Sequence, residues 1–497
     1  MQGGDEVARP NRQHVALAAV LAAIWLIAVA VRAAIMVRGG GLSGLGAYDD
    51  GVYYAASDAL VHGRLPYRDF LFIQPPLIAV VTAPFAALGA ATSDAFGFEV
   101  GRVAYIALGG VNAVLCGAVL RRFGWTAVAV GGVGYALFHP AVYAERSVLL
   151  EPLGTFAVLA ALLLLQLAPA HPRLAVLAGL LAGLGVGAKI WYVVPAVVLL
   201  VSARRLWSRY LVGLAVGGCA IYLPFLAAAP QQMVQQVVLD QLGRGGAPGT
   251  AGSVQRLQDL LGARATVGVP VDIIAPVVGV LAIAAVVTAL VTSGARVFGV
   301  LAVATVAVLL AAPSWFTHYT ALTAPPLALC VGLAAGRLAG VLAARPAKVA
   351  LVAVVLLGVL VANEANDRSR YGHRTPPGLT QAAKVVPGCI TADDPGALVE
   401  MNVLSRDLRD PHCQVWPDVT GWTYTRAYLE RDRAGVLVSR ASNRTWQAGV
   451  VRFLESGDAT IRIRHATGLS AQSKRRIDAG AVLFKRGRFV VHAATAS

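Results

Sequence analysis

The sequence carries little charge for its length. Only 14% of its 497 residues are Asp, Glu, Lys or Arg, whereas a soluble domain usually has about 25%. The hydrophobic share is 57%, which excludes a disordered or collagen-like chain. Such a chain is too apolar for a soluble protein and too long for a single anchor, so the composition indicates a polytopic membrane protein.

Several chemical motifs are also missing. The sequence has no Walker A loop, HExxH helix, CxxC pair or GxSxG elbow, so it offers no nucleotide, zinc-protease or serine-hydrolase signature. Five cysteines are too few for a disulfide scaffold. Cys116, Cys219 and Cys330 fall in apolar runs. Cys389 and Cys413 fall in the polar C-terminal part, where an oxidising compartment permits a disulfide that sequence by itself does not establish.

The net charge of +16 is a topology signal here and argues against a nucleic-acid partner. Apolar runs alternate with short basic loops, and the positive-inside rule predicts about eleven spans with a cytoplasmic N-terminus. A crossing at 75–92 would turn the later basic loops outward, so that run is predicted to lie at the outer surface. The predicted spans are 15–37, 102–120, 124–140, 151–168, 174–189, 190–202, 210–228, 270–292, 297–312, 318–336 and 347–363.

Residues 364–497 contain no apolar run of membrane length. Their mixture of strand-like and helix-like runs predicts a compact α/β domain. We therefore expect a helical membrane domain, 1–363, with juxtamembrane helices on its outer face, and a soluble extracytoplasmic domain, 364–497. The predicted location is the plasma membrane.

Under this topology most acids of the membrane domain lie on its outer side. Carboxylates beside an apolar bundle are costly, so their crowding on one side indicates where any chemistry occurs. These acids are Asp49, Asp50, Asp58, Asp69, Asp94, Glu99, Glu145, Glu151, Asp240, Asp259 and Asp272.

The adjacent acids Asp49 and Asp50 stand in the first outer loop among tyrosines. On a helix they point about 100° apart, so one can face a pocket while the other binds elsewhere. An acid at this place suits a general base that acts on a sugar hydroxyl. The alternative is a plain helix N-cap.

Four basic or aromatic positions lie at predicted outer turns. Arg146 could bind a phosphate or form a local ion pair, and Lys189 could bind a phosphate or snorkel. His318 and Tyr319 could donate hydrogen bonds to a head group or sugar, or be structural. The long loop 229–269 is interpreted as a substrate lid or as a mere connector.

Together these segments resemble the GT-C superfamily of polytopic glycosyltransferases, in particular an actinobacterial-looking branch of the protein-mannosyltransferase and aminoarabinose-transferase type. Proline-containing segments of the first outer loop and of the C-terminal domain add to the resemblance. The matching segments are 49–53, 62–69, 74–76, 146, 150–152, 189–191, 241–244, 318–319 and 387–395.

The resemblance implies a hexosyl- or pentosyltransferase, such as a mannosyl- or arabinosyltransferase, of the cell envelope or cell wall. Its donor would be a polyprenyl-phosphate sugar, used on the outer face with inversion. Asp49 matches the general base of the family, and Asp50, the second predicted catalytic acid, stands where many relatives have Glu.

The resemblance also implies how the leaving phosphate is stabilised. Charge would come from Arg146, Lys189, His318 and Arg244, with Tyr319 beside them. Some relatives hold a divalent cation at the phosphate, here Mg, Mn or Ca, and Glu151 would help to bind it.

Two other functions remain open from the sequence. One is a carrier or flippase for a lipid-linked substrate, which would require charges near the middle of the membrane. The other is a non-catalytic envelope assembly protein. If the chain is the transferase, its partners are the bilayer, the lipid-linked donor and a glycan, glycolipid or protein acceptor.

Overall fold

The computed structural model describes residues 12–244, 251–263, 270–342, 373–463 and 467–494, and helices make up most of its first part. In chain order these helices are α1 (Arg12–Arg38), α2 (Tyr48–Val61), α3 (Leu77–Ala91), α4 (Asp94–Val119), α5 (Trp125–Leu137), α6 (His139–Glu145), α7 (Glu151–Leu167), α8 (Leu174–Ala188), α9 (Val193–Ser202), α10 (Trp207–Ala228), α11 (Pro230–Val234), α12 (Asp240–Leu242), α13 (Ser253–Leu260), α14 (Val271–Val291), α15 (Arg296–Leu310) and α16 (Ala324–Val341).

Several of these helices suit a membrane. Among the described residues, α1, α4, α10, α14 and α16 are long and apolar enough to cross one, and α5 with α6 forms a sixth candidate. The remaining apolar helices, including α3, are shorter. The count of eleven spans and the surface position of 75–92 stay predictions, and the run 347–363 lies outside the described residues.

The bend of 56° between α5 and α6 has a local cause. Pro140 follows at the start of α6, and proline removes a backbone donor and disfavours helix for the residue before it. Arg32 of α1 donates to the Ala136 carbonyl at the end of α5 and to Glu145 at the end of α6. The break is therefore stabilised by a buried guanidinium.

Glycines let α8 and α10 pack backbone against backbone. A Cβ at Gly179 would lie 1.9 Å from the Tyr210 carbonyl oxygen, and one at Gly213 would lie 1.9 Å from that of Val176. The small residues of these predicted spans thus allow the close backbone approach that is typical of helix packing in membranes.

The described C-terminal part is an α/β unit. Strand order in its sheet is β3-β4-β6-β5, with β3 and β4 parallel and the other pairs antiparallel. A disulfide joins Cys389 and Cys413, as the sequence permitted. The strands of this sheet are β3 (Ile390–Ala392), β4 (Ala459–Arg462), β5 (Val482–Arg486) and β6 (Phe489–Ala493), and the helices are α17 (Leu379–Lys384), α18 (Pro395–Glu400), α19 (Leu404–Arg409), α20 (Arg444–Leu454) and α21 (Ala471–Ile477). Two short strands form a separate sheet: β1 (Gly44–Leu45), which precedes α2, and β2 (His373–Arg374).

This unit packs directly on α2. Val52 and Tyr53 of α2 share one hydrophobic core with Leu398 and Ile461 of the C-terminal part. Strand β1, just before α2, pairs with β2. Apolar contact of this kind holds α2 and the C-terminal unit together. The predicted domain boundary at 363/364 lies outside the described residues.

Gly51 provides a test of this packing. Ala is the better helix former by about 1 kcal/mol, so Gly51→Ala would stabilise an unpacked α2. In the structure, however, the added Cβ would lie 2.6 Å from the Gly396 backbone nitrogen. We expect a net destabilisation of about 1–3 kcal/mol, seen as a lower Tm of the purified full-length protein.

Gly218→Ala is the matched control, because nothing lies within 4 Å of that Cβ position. Its Tm should be unchanged or slightly higher. An equal Tm for both variants would show that the α2–α18 contact is not close.

Candidate active site

A cavity of about 460 Å³ lies between the membrane domain and the C-terminal unit. One side, the membrane wall, is formed by the start of α2, the 72–74 segment, the α6 region and the 3-10 helix Thr317–Leu322. The other side, the C-terminal wall, comes from residues 418–424, 440, 463, 467 and 488. The predicted residues Asp49, Arg146, Arg244, His318 and Tyr319 all line this cavity.

Asp49 stands in the first turn of α2. The helix begins after Ala47 without a side-chain cap, so the N-cap alternative does not describe Asp49. Burial, together with the charges of Asp418 and Glu151, raises the pKa of Asp49 to about 7, while Lys189 opposes them. Yet 32% of the side chain stays accessible, which leaves it open to the cavity.

Asp50 points the other way. Its Oδ2 accepts hydrogen bonds from Arg102 Nη2 at 2.9 Å and from Ser147 Oγ at 2.5 Å. Arg102 also donates to Glu400 of α18. Asp50 does not line the cavity, so the structure separates it from Asp49 and gives it an ion pair between α2, α4 and the C-terminal unit.

His318 lies between two acids. Its Nδ1 is 3.5 Å from Asp49 Oδ2, and its Nε2 is 4.0 Å from Glu151 Oε1. Burial, with the cations Lys189 and Arg244 nearby, lowers the pKa of His318 to about 4. The imidazole is thus neutral at pH 7, so the positive charge expected from it is absent and a hydrogen-bonding role remains.

Lys189 and Glu151 form a buried ion pair behind this histidine. Lys189 Nζ donates to Glu151 Oε1 at 2.5 Å and lies 3.9 Å from the centre of the Tyr319 ring. Glu151 Oε2 is buried without a hydrogen-bond partner among the described residues. Neither Lys189 nor Glu151 lines the cavity itself, so the pair acts on it from just outside.

Arg146 follows α6 directly and lines the cavity with only 8% of its surface exposed. Its guanidinium lies 4.4 Å from the centre of the Tyr143 ring. Its neighbour Glu145 turns away and binds Arg32, Asn112 and Tyr135. Glu145 therefore belongs to a network that anchors the end of α6.

Arg244 is a second buried cation of the site. It is 3% exposed, and its guanidinium carbon lies 4.3 Å from the centre of the Tyr424 ring. Its Nε has no hydrogen-bond partner among the described residues. A buried guanidinium without a bound anion is costly, so this position suits an anionic ligand. The rest of the predicted lid, 245–250 and 264–269, lies outside the described residues.

The C-terminal wall was missed by the sequence analysis, which assigned that domain no site residues. Asp418 Oδ1 accepts hydrogen bonds from the Tyr48 hydroxyl at 3.1 Å and from the Gly421 backbone at 2.7 Å. Burial raises the pKa of Asp418. Arg440 and Arg488 lie farther along the same wall. No local motif marks these residues.

A divalent cation would find some suitable donors here. Glu151 Oε2 lacks a partner, His318 is a neutral imidazole, and Asp49 is a second carboxylate. Across the described ranges, the one group of three ligand atoms within 4.8 Å is Cys389, Asp410 and Cys413. Its thiols are joined in the disulfide, so it is not a cation site.

Neither a protein-family model nor a curated protein sequence matches this chain. Solved structures do. ArnT from Cupriavidus metallidurans, bound to undecaprenyl phosphate, is 16% identical with a TM-score of 0.61, and the match covers 98% of this chain and 99% of that one.

Two archaeal structures are similar as well. The Archaeoglobus fulgidus oligosaccharyltransferase with Zn and sulfate is 14% identical with a TM-score of 0.55, over 88% of this chain and 67% of that one. AglB from the same organism, in complex with an inhibitory peptide and a dolichol-phosphate, is 12% identical with a TM-score of 0.56, and the match covers 90% of this chain and 69% of that one. At these identities the likeness is one of fold, and it confirms that the chain has the fold of the polytopic GT-C glycosyltransferases.

Proposed function

We propose that this chain is a membrane glycosyltransferase that moves a sugar from a polyprenyl-phosphate donor to an acceptor hydroxyl on the outer face. The observation that carries the proposal is a single cavity that combines an acid with a pKa of about 7, Asp49, with the buried guanidiniums of Arg146 and Arg244. The fold shared with ArnT and AglB, whose structures hold undecaprenyl and dolichol phosphates, supports it.

The proposed reaction is a single inverting displacement. The Asp49 carboxylate takes the proton of the acceptor hydroxyl, whose oxygen attacks the anomeric carbon of the donor. The bond between that carbon and the phosphate oxygen breaks, and the electron pair leaves with the polyprenyl phosphate. Arg146 and Arg244 stabilise the charge that develops on this phosphate.

The pair behind the cavity has a supporting role. Lys189 is paired with Glu151 and holds that carboxylate beside His318, while neutral His318 and Tyr319 supply hydrogen bonds to the sugar or phosphate. If a divalent cation binds, Glu151, whose Oε2 has no hydrogen-bond partner among the described residues, would help to hold it, and the cation would neutralise phosphate charge.

The central test replaces Asp49. Asn keeps the size of the side chain but cannot take a proton, so Asp49→Asn should lower the transfer rate about a hundredfold or more. The full-length protein in lipid nanodiscs is incubated with a panel of polyprenyl-phosphate sugars and candidate acceptors. Mass spectrometry then measures the released polyprenyl phosphate and the glycosylated product.

Asp272→Asn is the control, because Asp272 is an exposed acid in the first turn of α14 and does not line the cavity. That variant should keep wild-type transfer. Normal transfer by Asp49→Asn would exclude the proposed base, and uptake of lipid-linked sugar by vesicles without any product would favour a carrier.

The pKa of Asp49 makes activity depend on pH. Only the carboxylate form accepts a proton, so kcat/KM should rise with pH through about 7 and then level off. The charge of Asp418 contributes to the raised pKa of Asp49. In Asp418→Asn the pKa of Asp49 should fall, and the rising limb of the pH profile should move to lower pH. An unmoved limb would show that the two acids are not coupled.

Arg244 tests the phosphate site. Arg244→Gln removes a buried charge and should weaken the binding of undecaprenyl phosphate about tenfold or more. Arg475→Gln, an exposed arginine of α21, is the matched control. Equal affinities in a titration of both purified variants would remove Arg244 from the donor site.

A further inference from the structure

The cations of the cavity are divided between its two walls. Arg146 belongs to the membrane wall, and Arg244, close after α12, also comes from the membrane domain. Arg440 and Arg488 belong to the C-terminal wall. Arg146 and Arg244 already provide two guanidiniums for a single donor phosphate. The presence of Arg440 and Arg488 on the C-terminal wall therefore requires a separate explanation.

Arg440 is held in place by its surroundings. It begins the short 3-10 turn Arg440–Ser442. The Gln447 side chain donates to the Arg440 carbonyl and to the Gly468 carbonyl, each at 2.8 Å. A Cβ at Gly468 would lie 2.7 Å from Arg440 Cβ, so the two segments pack tightly. The half-buried guanidinium is thus carried on a fixed backbone.

Arg488 reaches the same wall from the tight turn between β5 and β6. Gly487, with φ of +58°, makes the turn that places it there. Among the described residues, neither Arg488 nor Arg440 has a side-chain hydrogen bond or a carboxylate at ion-pair distance. The acid of this wall, Asp418, already accepts bonds from Tyr48 and Gly421.

The geometry also separates the two substrates. The polyprenyl tail of a donor must stay in the bilayer, so its phosphate approaches from the membrane domain. An acceptor hydroxyl that reaches Asp49 at the same time must then approach along the C-terminal wall. Guanidiniums that make no side-chain hydrogen bond to a described residue can recognise phosphate or carboxylate in such a place, although Arg440 also feels the charge of Asp418.

We propose, building on the proposed transferase function, that the acceptor is anionic and that Arg440 and Arg488 bind its phosphate or carboxylate group while its hydroxyl lies at Asp49. The C-terminal unit is then the acceptor-selecting half of the cavity. A phosphorylated glycan or glycolipid and a uronate-containing glycan both offer this chemistry.

The test uses the full-length protein in nanodiscs, saturated with undecaprenyl phosphate so that the donor site is filled. Three disaccharides that differ only at one position are titrated: neutral, uronate and phosphate monoester. We expect at least one anionic form to bind about tenfold or more tightly than the neutral one. The double variant Arg440→Gln/Arg488→Gln should lose that preference and keep wild-type affinity for undecaprenyl phosphate.

The matched control is Arg433→Gln/Arg475→Gln, which removes the same charge from exposed positions away from the cavity and should keep the preference. The phosphate and uronate arms tell which anion is selected. Equal binding of all three sugars, or a preference that survives in the double variant, overturns the inference. Loss of undecaprenyl phosphate affinity in that variant also overturns it, since the pair would then serve the donor.

The two proposals fail in different ways. Wild-type protein that neither binds undecaprenyl phosphate nor releases it from a polyprenyl-phosphate sugar contradicts the transferase function. Wild-type protein that does both but shows no anionic preference contradicts only the acceptor inference.

Discussion

The buried guanidinium of Arg102 links three parts of the molecule. It is fully buried on α4 and binds Asp50 of α2 and Glu400 of α18, as well as the Gly44 carbonyl. A buried charge that lost these partners would cost several kcal/mol, so the three segments must assemble together. Asp50 is adjacent to Asp49 in the first turn of α2. The ion pair of Asp50 therefore also fixes the rotation of the helix and turns Asp49 toward the cavity.

The electrostatics of the cavity follow from which charges are paired. Lys189 is neutralised by Glu151, and His318 is neutral because burial lowers its pKa to about 4. Arg244 remains a buried cation whose Nε has no hydrogen-bond partner in the described part of the chain. Asp49 is kept close to half-protonated near neutral pH by burial and by other acids. In the proposed reaction, Asp49 can therefore act as a base on the acceptor, and Arg244 can bind the anionic phosphate of the donor.

Adjacency was the most informative pattern in the sequence. Two neighbouring acids on a helix cannot face the same way, and the structure indeed sends Asp49 to the cavity and Asp50 to Arg102. Ion-pair partners were not predictable, because they depend on helix packing between distant segments. Arg32 meets Glu145 across 113 positions, a contact that no local spacing indicates.

Apolar run length and basic loops are local properties, so they predict a membrane protein, while the resemblance of short segments predicts the GT-C fold and singles out Asp49. That the C-terminal unit forms one wall of the cavity could be seen only in the folded structure. Asp418 meets Tyr48 across 370 positions, and Arg440 reaches the cavity through the packing of its own domain. Such residues carry no pattern of their own, since their position comes from the apolar core that docks the two domains.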